Sequence, residues 1–103
     1  MIQFELLHPK MTQERLGWLP SFLDVDDPRP AKEQFHERYA HGGGWQPFNG
    51  FEMRKGYSIK YPGDPAHKPL AQAKLRDELI VFYDYAWVAI IQPDGSFEIA
   101  RMD

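Results

Sequence analysis

The chain has 103 residues, 43% of them apolar and 15% aromatic, which is core material for one domain over 1–103. It contains no cysteine, which excludes disulfide staples, thiolate zinc sites, iron–sulfur clusters and cysteine nucleophiles and fits a cytoplasmic protein. The formal net charge of −3 supplies no global basic excess to release counterions from nucleic acid, so nucleic acid is not an expected partner.

The opening MIQFELLHPKM has no basic region followed by a sustained apolar run, so no signal peptide is expected. Ile2, Phe4 and Leu6 alternate with Gln3, Glu5 and Leu7, predicting a strand over 2–7 that His8-Pro9 ends. Thr12 reads as the N-cap of a short helix over 13–18, with Met11 and Leu16 at hydrophobic-staple spacing. Gly17 weakens its end and Pro20 stops it.

DVDDPRP (24–30) is a polar connection. Its three acids lack the glycine and distal glutamate of an EF-hand loop, and their expected role is to favour the start of the next helix through its dipole. That helix, over 30–40, places Ala31, Phe35 and Tyr39 on one stripe with His36 on its rim. Pro30 suits its first position, and the glycines after His41 end it.

From Phe51 the period shifts to two. Phe51–Arg54 and Tyr57–Tyr61 flank Lys55-Gly56 as a hairpin, with Tyr57, Ile59 and Tyr61 on one face. PGDPAHKP (62–69) is a loop. Ala71, Ala73 and Leu75 oppose Gln72, Lys74 and Arg76 in a half-exposed strand, and Arg76-Asp77-Glu78 turns into LIVFYDYAWVAII. Both parities of that run are apolar, which predicts a central strand bent or divided near Asp84. It is too short and too interrupted to span a membrane. Gln92-Pro93-Asp94-Gly95 predicts a type I turn, with Gly95 left-handed in a G1 bulge. SFEIARM returns with Phe97 and Ile99 inward.

The predicted fold is α+β: an antiparallel β-meander in the C-terminal half, with two short N-terminal helices packed on one face. Phe4, Trp18, Phe22, Phe35, Tyr39, Val81, Phe82, Val88 and Ile90 are the expected core.

Catalytic chemistry finds little purchase. Ser21, Ser58, Ser96 and Thr12 lie in no nucleophile elbow, so no catalytic residue is assigned. His36 and His41 are five apart rather than the four that aligns two helical ligands; His8 and His67 could join them only through a tertiary contact. No metal or other cofactor is expected. HGGGW follows a helix, whereas phosphate-binding glycine loops follow a strand and open a helix. Its triple glycine reads first as a junction, and His36, His41, Gly43, Trp45 and Phe48 form a candidate ligand-binding set around it. Tyr83, Tyr85 and Trp87, with Trp45 and Phe48, could instead line a pocket or a partner surface.

The segments LHPKMTQERLGWLPSFLDVDDPRPAKEQF, YAHGGGWQPFNGF, YPGDP and AWVAIIQPDGSFEIARMD together resemble short hypothetical proteins encoded by phages and prophages. The resemblance covers nearly the whole chain. It implies no fold, activity or site residue, but it favours an accessory or host-takeover role. The leading expectation is a non-enzymatic accessory protein that binds another protein, with a homodimer as one form of that binding. A small-ligand binder or small enzyme with a site at 36–51 is the alternative. Nucleic-acid binding through Lys60, Lys68, Lys74 and Arg76 ranks third, because interspersed acids make those residues read as a solvated face.

Overall fold

The computed structural model describes residues 2–38, 45–47 and 59–102. Among these residues six strands form one antiparallel sheet: β1 (Glu5–Leu6), β2 (Trp45–Pro47), β3 (Pro69–Leu75), β4 (Glu78–Tyr83), β5 (Trp87–Ile91) and β6 (Phe97–Met102). Their spatial order is β1-β3-β4-β5-β6-β2. The last four strands in sequence are thus a meander, as their turn signals predict, while β1 and β2 close its two edges. Pro47 is tolerated in β2 because an edge strand need not donate on both sides.

The run from Leu79 to Ile91 is divided near Asp84, but the chain also reverses there. Asp84–Ala86 form one tight turn, closed by the Trp87 N–H on the Asp84 carbonyl, and β4 pairs with β5 through Leu79↔Ile91, Ile80↔Ile90, Val81↔Ala89 and Phe82↔Val88. One long strand is therefore replaced by a central hairpin. Because the turn is three residues long, paired residues keep the same parity. Ile80, Phe82, Val88 and Ile90 face a first core, and Val81, Tyr83, Trp87 and Ala89 face a second. Both sides of the hairpin are buried, which explains the two apolar parities.

The first core is closed by the N-terminal half. Ile2, Met11, Leu23, Ala31 and Phe35 are buried against the sheet, and Phe22 meets Phe35 edge-on at 5.1 Å. In β3, Ala71, Ala73 and Leu75 point inward as the alternation predicts, and a bulge between Pro69 and Ala71 turns Leu70 inward as well. The second core adds Ile59 and Ile99. Full burial of side chains of this size is worth about 1.5–3 kcal/mol each.

The two predicted N-terminal helices resolve into one. Ala31–Arg38 is α-helical (α1) and packs on the first core. Gln13–Trp18 is instead a 3-10 helix, tightened by bonds such as Arg15 N–H to the Thr12 carbonyl and Leu19 N–H to the Leu16 carbonyl. Thr12 occupies the N-cap position without a side-chain bond. Gly17 and Pro20 leave this segment too few residues to propagate a regular α-helix.

Other expectations shift at the edges. Only Glu5–Leu6 of the opening 2–7 segment pair as a strand, opposite Gln72 and Ala71. Ile2 donates instead to the Leu23 carbonyl. Trp18, expected in the core, is 59% exposed and lies under the Arg15 guanidinium at 5.4 Å. Phe97 is also exposed, opposite Ile91 at the turn end of the β5–β6 hairpin. Trp87 and Tyr83 supply the buried aromatic mass of the second core instead. Tyr39 and the predicted hairpin at 51–58 lie outside the described residues. The Gln92–Gly95 turn matches its prediction: Gly95 has φ 90° and donates to the Gln92 carbonyl at 2.9 Å, and Gln92 donates to the Ser96 carbonyl at 2.8 Å.

Candidate functional site

Of the ligand set read from the sequence, His41, Gly43 and Phe48 lie outside the described residues. His36 is exposed on α1. Trp45 starts β2, its backbone opposite Met102. That register brings the Trp45 backbone to the end of the sheet where β4 turns into β5, since Trp87 pairs with the neighbouring Arg101.

The acids of 24–30 are consumed locally. Asp24 accepts the Asp26 N–H, and Asp27 grips Arg29 through three side-chain contacts of 2.6–3.2 Å. The Arg29 guanidinium and Arg29 N–H hold the Asp27 carboxyl down to about 2. Arg29 also pairs with Glu37. The start of α1 is capped from elsewhere: Glu78, buried at the first residue of β4, accepts the Ala31 N–H at 2.8 Å with one oxygen and the Gln92 amide at 2.8 Å with the other. This corrects the expectation that the 24–27 acids serve the helix start. Among the described residues, no group of three or more histidines and acids could hold a metal ion.

Arg76 is equally committed. Its guanidinium donates to the carbonyls of Val25 (2.9 Å), Asp27 (2.6 Å) and Arg29 (2.6 Å). It is a tie between the β3–β4 turn and the 24–30 loop. Two open clefts flank this tie. One, about 400 Å³, is lined by Phe22, Asp24, Asp27, Arg29, Glu37 and Arg38. The other, about 340 Å³, lies by Arg76, Glu78 and Gln92. Asp27 and Arg29 in the first bind one another, and Arg76 and Glu78 in the second bind the backbone.

The opposite end of β4 is built differently. The 59–68 loop is anchored by Ile59 in the second core and organised around Asp64. That carboxylate accepts the Ala66 N–H at 3.0 Å and the Lys60 N–H at 3.1 Å, and these bonds lower its pKa. Gly63, with φ 96°, donates to the Tyr83 phenol oxygen at 3.3 Å. Burial pushes the Tyr83 phenol up, against the opposing pull of that N–H.

The loop delivers His67 into the protein. Its side chain is 2% exposed, and Nδ1 lies 2.8 Å from an Asp84 carboxylate oxygen. An ionised carboxylate can only accept, so the proton of this bond sits on Nδ1. Nε2 is buried without a hydrogen-bond partner among the described residues. Around the ring stand Tyr85, edge-on at 6.0 Å, and Trp87 at 6.3 Å. The Arg101 guanidinium lies over Trp87 at 5.9 Å.

A His–Asp pair can serve a nucleophile, but no described serine or threonine is shown bonded to this one, and Ser21 is exposed in the N-terminal half. Ser96 donates to Asp94 in the β5–β6 turn, and Thr12 is exposed in the N-terminal half. What the pair does is fix the turn. Asp84 opens it, and the next two residues, Tyr85 (φ 59°) and Ala86 (φ 63°), are left-handed without being glycine. Each such residue costs about 1–2 kcal/mol, so the surrounding contacts must over-determine the conformation. Tyr85 is thereby held out at 68% exposure, and Tyr61 of the facing loop is 49% exposed.

Sequence reasoning left His67 as an isolated loop histidine. The signal that could have found it is Asp84: a carboxylate inside an apolar strand run needs a buried partner, and an uncommitted histidine beside a proline loop is a suitable one. No protein family, curated protein or solved structure matches the chain.

Proposed function

We propose that the chain is a non-enzymatic binding protein, of the accessory kind that its phage-protein resemblance implies, and that it engages another protein through the β4–β5 end of its sheet. One observation carries this reading. Tyr85 is 68% exposed on a backbone fixed in a strained left-handed turn, with buried His67 and Asp84 behind it. Tyrosine on a rigid mount makes a strong contact anchor, because it offers a large amphipathic surface and loses little conformational freedom on binding. Tyr61, in the loop that delivers His67, is also exposed, and the register of β2 brings the Trp45 backbone to the same end of the sheet.

The test is site-directed photo-crosslinking in the producing cell, with a photoreactive phenylalanine analogue at Tyr61. A discrete protein adduct is expected, outcompeted by added wild-type chain and not by Tyr85→Ser. Sedimentation velocity across a wide concentration range tells a second copy from a different protein. Absence of any adduct, or equal competition by Tyr85→Ser, overturns the reading.

A further inference from the structure

We draw no further inference here: the strongest candidate, the cross-strand row of partly buried Leu79 and Ile91 and exposed Phe97 that the register of β4, β5 and β6 sets at the rim of the second core, is an apolar sheet face, and nothing in the structure shows what covers it.

Discussion

The two ends of β4 carry the same backbone problem and solve it in opposite ways. Each ends in a tight turn with a left-handed residue that is not glycine: Arg76 (φ 53°) at the start, Tyr85 and Ala86 at the finish. At the Arg76 end the side chains are used up on the protein itself. Arg76 binds three carbonyls of the 24–30 loop, and Glu78 caps α1 from 47 residues away. At the other end the His67–Asp84 pair is committed inward, while Tyr85, one of the two residues that bear the strain, points its ring to solvent. Strain that secures the fold differs in this way from strain that displays a side chain.

Removing the inner partner at each end should separate the two roles. His67→Ala deletes a fully buried ring and leaves Asp84 without its bond, a loss of about 3 kcal/mol in urea unfolding. Hydrogen exchange should then accelerate at 60–68 and 84–86 while α1 keeps its protection. Glu78→Ala is the counterpart. It orphans the Ala31 N–H and the Gln92 amide, so the loss should be about 2 kcal/mol. Its exchange signature should lie in α1 and the 24–30 loop. If either variant loosened both ends equally, the division drawn here would be wrong.

Tyr85→Gly sharpens the comparison because stability and binding should move in opposite directions. Glycine occupies the left-handed region without penalty, though it also adds freedom to the unfolded chain. The net expectation is a gain of about 0.5 kcal/mol, with loss of the crosslinked partner. A residue kept merely for packing would show the reverse.

The same contrast separates what was legible in the sequence from what was not. The β5–β6 turn, the alternation of β3 and the Ala31–Phe35 stripe of α1 were readable because each is set by residues within a few positions of one another. The reversal at Asp84–Ala86 was hidden by its own geometry. A three-residue turn preserves parity, so a hairpin buried on both faces gives the same pattern as one long central strand. Glu78 with Ala31 and His67 with Asp84 join residues 47 and 17 apart, and no local spacing encodes such pairings. Trp18 misled through its bulk, since an amphipathic ring under Arg15 can lie at the surface. The described part of the candidate set, His36 and Trp45, lies on α1 and β2 rather than on the loop that carries the buried histidine.

The smallest effect expected lies in the 24–30 loop, and it tests how far that loop depends on the Arg76 end. Arg29 holds the Asp27 carboxyl at about 2, against an ordinary 3.8. A depressed carboxylate contributes stability that is present above its unfolded value and is lost as pH falls through the folded one. Wild type should therefore lose melting temperature between about pH 4 and about pH 2 more steeply than Asp27→Asn. The difference should shrink in high salt, because the pair is at the surface and screened. Arg76 holds the loop by its carbonyls, at Val25, Asp27 and Arg29, none of which titrates. Asp27→Asn should accordingly flatten the acid limb without releasing the loop, and its exchange rates at neutral pH should match wild type. Rapid exchange across 24–30 in that variant would mean that the Asp27–Arg29 pair, and not the three carbonyl bonds of Arg76, holds this end together.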